Sequence, residues 1–334
     1  MSAFMYLPFT RSSVKPSGKA AGRPSMGLKP LALKDWIEIG PNFNSQLALK
    51  AQLLKQRYDD VFIDIGNTHL AQQEVRSLLT THLLTHYPQI YQPLGIEKGS
   101  DRTPTGIYNA RTQQTLHFSD FESAPLELAA RLVQEDLCIL LPAPEPSTNP
   151  ASATELQTYH LAAASVCFPL RWSLREKMGK SVANIHQPVP EYPKRLARPV
   201  DTLFSRLRGD APSLRFNWSV VDSPELHLIQ KRKITHINPY ITTENIANRL
   251  WLRVEKQTLR RLPISQGILF TIRTFIYPIA TVTADPNVAK QLAQAILQLQ
   301  PEVQSYKNLL PIKQTLLSYL DSCSHPASNH ASTN

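Results

Sequence analysis

Near the start of the chain apolar residues recur at helical spacing. Leu47, Ala51, Leu54 and Tyr58 fall at i, i+4, i+7 and i+11, one face of a helix that Asn44 or Ser45 can cap. A second helix is predicted over about 71–86, with Val75, Leu78, Leu79 and Leu83 inward and Tyr87-Pro88 as its stop. The period then drops to two. Stretches 107–110 and 115–118 flank a polar turn and read as a hairpin. Pro125 opens a helix carrying Leu128, Leu132 and Val133. Stretches 137–141 and 159–168 read as buried strands around a Pro/Ser/Thr/Asn loop at 142–150.

An amphipathic helix is expected over 174–185, followed by His186 and then Pro188-Val189-Pro190. Each proline fixes its own φ and restricts the residue before it, so this turn holds His186 firmly. A rigidly held, uncharged imidazole beside apolar elements is what an axial metal or haem ligand needs. The same residue also reads as a partly buried cap on the helix C-terminus. Downstream, 199–207 reads as a short helix. Residues 215–220 alternate, with Phe216, Trp218 and Val220 on one face and Arg215, Asn217 and Ser219 on the other. After an irregular polar segment at 224–246 come two long strands, 250–262 and 268–279, joined through Pro263 to Gly267 as a hairpin. Asp285-Pro286 caps a helix whose inner face is Val288, Leu292, Ile296 and Leu299; a last helix covers 311–320.

This order is α+β with an antiparallel sheet, not a βαβ series. Neither GxGxxG nor a Walker A motif occurs, so nothing asks for a nicotinamide, flavin or nucleotide fingerprint. The 334 residues, 42% hydrophobic and 19% charged, suit one large domain, taken here as 26–320. Residues 1–25 hold four basic residues and no acid, and 321–334 are Ser/His/Asn-rich; both read as disordered. An organellar targeting peptide is the alternative for the first. Three cysteines without zinc spacing argue against a disulfide framework and point to a reducing compartment, the cytoplasm by default. No apolar run approaches the ~18 residues of a membrane helix. The net charge of +10 is not interleaved with aromatics, which weighs against nucleic acid and favours an acidic protein partner.

Candidate chemistry gathers in two further places. On the first long strand, alternation puts Arg253, Glu255 and Gln257 on one face; on the second, Thr271, Arg273, Phe275 and Tyr277 share a face. Such a face is either a solvated surface with cross-strand ion pairs or a pocket lined by arginines and one carboxylate. Arginine forks suit propionates or phosphate, and a carboxylate suits a cationic amine. Tyr192, Asn217 and Trp218 either line a pocket or pack. Cys167 is a rival to His186 as a thiolate ligand, against the commoner reading of a small buried apolar residue. His82 and His86 stand at i, i+4 without the Glu of an HExxH pattern and read as a surface pair.

Met26-Gly27-Leu28-Lys29-Pro30-Leu31, Trp36-Ile37-Glu38, Cys167-Phe168-Pro169-x-x-Trp172, Lys177-x-Gly179, Ile185-His186-x-Pro188-Val189-Pro190, Asn217-Trp218 and the run from Leu252 to Pro263 with Phe270 to Thr274 together resemble the haem-dependent oxidative N-demethylase alpha-subunit family. The resemblance covers roughly residues 26 to 320. It implies a PAS-like antiparallel sheet with helical N- and C-terminal additions that binds haem b, with His186 as axial ligand to the iron. It also implies a monooxygenase that uses O2 to remove an N-methyl group from a small amine such as dimethylamine, through a carbinolamine that falls apart to amine and formaldehyde. A separate flavin/iron–sulfur reductase subunit would supply electrons and a folate-binding subunit would take the formaldehyde. On this reading Arg253, Arg260 and Arg273 are candidates for the haem propionates, and Asn217 and Trp218 for further cofactor contacts. Glu255 is the candidate for the substrate ammonium, with Tyr192 beside it as a catalytic candidate. The competing readings are a non-catalytic haem-PAS sensor of gas or amine and a paralogue that keeps only the fold.

Overall fold

The two long strands expected at 250–279 form the spine of a seven-stranded antiparallel sheet in the computed structural model, which describes residues 6–9, 27–95, 103–143, 157–230 and 240–325. In chain order the strands are β1 (Lys29–Pro30), β2 (Phe62–Asp64), β3 (Tyr91–Leu94), β4 (Gly106–Asn109), β5 (Gln114–His117), β6 (Asp136–Pro142), β7 (Tyr159–Ser165), β8 (Ser213–Val221), β9 (Trp251–Arg261) and β10 (Ile268–Pro278). The large sheet runs β1-β8-β9-β10-β6-β7-β2, and β3-β4-β5 form a small second sheet. The helices are α1 (Phe43–Gln56), α2 (Tyr58–Val61), α3 (His69–His86), α4 (Pro125–Leu132), α5 (Val182–Ile185), α6 (Ala197–Arg206), α7 (Ile246–Arg249), α8 (Ile279–Val282), α9 (Pro286–Gln298), α10 (Pro301–Tyr306) and α11 (Lys313–Ser324). The α+β class with an antiparallel sheet is therefore as the sequence implies. Among the described residues no helix is long and apolar enough to cross a membrane.

The sheet separates three cores. On one face, at the β6 end, Leu137, Ile139 and Leu269 pack with α1, α3 and α4. On the same face, at the β8–β9 end, Val220, Leu252 and Val254 meet Leu292 and Ile296 of α9 and Leu316 and Leu320 of α11. The opposite face carries Cys138, Leu140, Leu259 and Phe270, covered by the segment between β7 and β8 through Leu174, Val182 and Phe204. The site is built under that cover.

Three local expectations change. Residues 174–185 do not form one helix. A 3-10 turn at Leu174–Glu176 ends in Gly179, whose φ of 72° is left-handed, and α5 restarts after Ser181, which accepts from the Asn184 amide. The break exists because Gly179 N–H donates to Leu161 O, and Lys180 O accepts from Leu161 N–H, so this stretch lies along β7. His82 and His86 are not a surface pair: His82 follows Leu79 by three residues, shares its inward face, and packs edge-on against Trp36. Helix α11 continues to Ser324, because Leu320 is buried and Cys323 packs on the same core.

Residues 6–9 of the basic extension are packed. The Tyr6 hydroxyl donates to Glu38 at 2.6 Å, and Phe9 meets Trp218 edge-on. The rest of the extension and residues 326–334 lie outside the described residues, as do most of the 142–150 loop and residues 231–239.

Candidate functional site

A cavity of about 1380 Å³ runs from the space between the sheet and its cover round the β8 edge to the C-terminal helices. That exceeds the ~300–1,000 Å³ usual for small-molecule sites. Its floor is the polar face of β8 and β9 together with the apolar face of β10 and β6. Arg215 pairs with Gln257, Asn217 with Glu255, and Phe270 with Leu259, so these six side chains share one face. Leu161, Val182, Leu203 and Phe204 add apolar walls, and Lys307 closes one side from the C-terminal region.

His186 lines this cavity at the C-terminus of α5. Its Nδ1 lies 2.8 Å from Val182 O, and its ring stacks on Tyr192 at 4.8 Å between centroids, 14° from parallel. Val189 N–H donates to His186 O, which is the turn expected from the flanking prolines. Burial holds the imidazole pKa below its ordinary value against the opposing pull of the Val182 hydrogen bond, and the charges of Arg215 and Lys177 push it down further. The ring is thus neutral at pH 7, with its proton on Nδ1 and its lone pair on Nε2. Tyr192 is buried, and burial pushes its hydroxyl up to about 12. It remains a neutral phenol against the imidazole.

Glu255 sits on the cavity floor in a net of donors. Gln257 Nε2 donates to Oε2 at 2.8 Å, Asn217 Nδ2 donates to the same oxygen at 3.3 Å, and Arg253 Nε is 3.7 Å from Oε1. Asn217 is oriented in turn by Lys307, whose Nζ donates to Oδ1 at 3.0 Å and to Trp218 O at 2.6 Å. Burial lowers the Lys307 pKa to about 8. Trp218 belongs mainly to the core under α9, with Lys307 5.4 Å over its ring, and it touches the cavity at the edge.

The sequence candidates divide. His186, Tyr192, Asn217, Trp218 and Glu255 all come to the cavity. Three arginines do not line it. Arg253 is buried on the same face but donates to Phe168 O at 2.5 Å and Leu226 O at 3.2 Å, tying the chain after β7 to the sheet. Arg273 pairs with Lys256 and so points to the other face, where it donates to Gln46 Oε1 and lies against Gly40. Arg260 also points there, 4.4 Å over the Trp36 ring. Those two cannot reach a propionate in this cavity through the sheet. Cys167 is fully buried in the α1/α3/α4 core, and burial pushes its thiol up to about 12, so it is an inert thiol and no rival ligand. Two charged cavity residues were not among the site candidates: Arg215, placed on the Asn217 face by alternation but given no role, and Lys307, which nothing local marks.

A neutral imidazole hydrogen-bonded through one nitrogen, beside a large and mostly apolar space, could offer its other nitrogen to a metal or a flat cofactor. The carboxylate a short way along the floor suits a cation. Residues 27–317 match the model of a family described as "HODM_asu-like: Haem-dependent oxidative N-demethylase, alpha subunit-like".

Proposed function

This chain belongs to the haem-dependent oxidative N-demethylase, alpha-subunit-like family, and on that premise we propose that its cavity holds haem b on His186 and removes an N-methyl group from a small amine such as dimethylamine, releasing formaldehyde. One observation carries the reading: the contact between His186 Nδ1 and Val182 O, which leaves Nε2 as a fixed, unprotonated donor at the wall of a cavity large enough for a porphyrin. The residues fit the group in kind as well. Val182, Leu203, Leu259 and Phe270 offer apolar contacts for a macrocycle. We read the antiparallel sheet with α5 laid over one face as PAS-like.

Bound haem supplies oxygen activation; the chain's own residues orient and exclude. Glu255 would receive the substrate ammonium, held at a fixed angle by Asn217 and Gln257. Tyr192 would keep the imidazole plane fixed through stacking. The family description implies further subunits, and we assign to them the reductase and folate-linked roles, with O2 and amine as substrates and the cytoplasm as location.

The test is the optical spectrum of wild type and His186→Ala after haem is supplied, followed by turnover. Wild type should develop a Soret band that the variant loses or shifts, and should release formaldehyde from dimethylamine with a reductant. A Soret band without formaldehyde from any methylated amine would identify a sensor instead. No band in wild type ends both haem readings.

A further inference from the structure

Among the described residues, one cavity cation is neither hydrogen-bonded through its buried Nε nor in an ion pair. Arg215 lines the cavity from β8, and its Nε is fully enclosed without a hydrogen-bond partner. The nearest carboxylate is already engaged: Glu255 takes Gln257 and Asn217 and lies beside Arg253. Glu255 acts on Arg215 only through space. The other cavity cations are committed. Lys307 bonds Asn217 Oδ1 and Trp218 O, Arg171 pairs with Asp222 at 2.7 Å, and Lys177 donates to Ile185 O at 3.0 Å.

A guanidinium does not shed its proton, so enclosing one without an anion is costly, and the cost is relieved by a ligand that brings the anion. The planar fork matches a carboxylate in two parallel hydrogen bonds, which a lysine cannot copy. Arg215 and His186 line the same cavity, so the two address one ligand space.

We propose that Arg215 is the carboxylate anchor of the cavity, receiving either a haem propionate or the carboxylate of an amino-acid-like N-methylamine. The proposal rests on the haem-dependent demethylase reading, and it moves the propionate role from the three arginines named by sequence to a fourth. Both sources present the same chemistry, a carboxylate to a fork, and the arms of one experiment separate them.

Wild type, Arg215→Met and Arg215→Lys are titrated with haem and with haem dimethyl ester at the Soret band. The loaded proteins are then titrated with sarcosine and with dimethylamine by calorimetry, with thermal melts to confirm folding. If the anchor takes a propionate, wild type binds haem roughly ten- to a hundredfold more tightly than the diester, Arg215→Met abolishes that gap, and Arg215→Lys restores part of it. If it takes a substrate carboxylate, both pigments bind alike to all three proteins. Sarcosine then weakens by a similar factor in Arg215→Met while dimethylamine does not. Equal behaviour of wild type and Arg215→Met toward all four ligands overturns the proposal. A wild type that takes up neither pigment defeats the haem reading separately. Calorimetry with sarcosine on the pigment-free proteins then decides Arg215: loss in Arg215→Met supports the anchor, and no difference rejects it.

Discussion

His186 Nδ1 lies 2.8 Å from Val182 O, one helical turn back along α5. A carbonyl oxygen only accepts, so this contact places the ring proton and, with it, the lone pair. Proton and iron compete for the same Nε2. Because burial already lowers the His186 pKa from 6.5, the pigment-bound form should survive as pH falls through 6.5 and be lost only below it. The pigment-free chain follows the same sign. Its unfolded state binds the extra proton first, so folded stability drops as pH falls below 6.5. A Soret titration checks this; loss of the band above 6.5 would contradict the assignment.

Glu255 should act on the amine and not on the pigment. Glu255→Gln keeps an acceptor and the shape but removes the charge, so the amine KM is expected to rise by roughly tenfold or more, with the Soret spectrum unchanged. Asn217→Ala should give a smaller rise, because Glu255 keeps Gln257 while Lys307 loses one acceptor. Steady-state formaldehyde release over a range of dimethylamine concentrations is the measurement. An unchanged KM in Glu255→Gln would remove this residue from the substrate site.

The split between legible and hidden features follows from what each depends on. Helices α3 and α9 and the β9–β10 hairpin were legible because long periodic runs leave one solution. His186 was legible because two prolines fix its surroundings. The faces of Arg253 and Glu255 were legible within their own strand. Whether Arg273 joins them depends on the register across the Pro263–Gly267 connection, and alternation inside one strand says nothing about that. The observed pairing sets Arg273 opposite Lys256, which sends it through the sheet. Lys307 reaches Asn217 from 90 residues away in sequence, a contact that only the packing of the C-terminal helices creates. The broken 174–185 helix had the right periodicity but lost to pairing with β7, a tertiary contact overriding local pattern.

His82 offers a test of the reverse face. Its Nε2 is buried without a partner, and burial, then the charges of His86, Arg260 and Lys256, push its pKa down from 6.5 to about 4. Between those values the unfolded chain holds the proton and the folded chain does not, so stability falls as pH falls through that window. His82→Phe keeps a ring against Trp36 and removes the titration. Its urea midpoint should decline less than that of wild type between pH 6.5 and 4; parallel declines would show that His82 is not what titrates.

Asp136 ties the cavity cover to the sheet. It is fully buried at the start of β6, and its two oxygens accept the backbone N–H of Cys167 at 2.8 Å and of Phe168 at 2.9 Å. Those residues begin the connection that leads to Trp172 and on to His186, and Arg253 holds the same point by donating to Phe168 O. Asp136→Ala would leave two buried amides unanswered, at a cost of about 2–5 kcal/mol. Asp136→Asn keeps one acceptor but turns an NH2 group toward an amide, so it should fall between wild type and alanine. Urea unfolding of the three proteins orders them. Pigment release should follow that order, because the wall carrying His186 is fastened to the sheet at this carboxylate. If Asp136→Ala unfolds at the wild-type midpoint, the amides are satisfied in some other way and the cover is not held here.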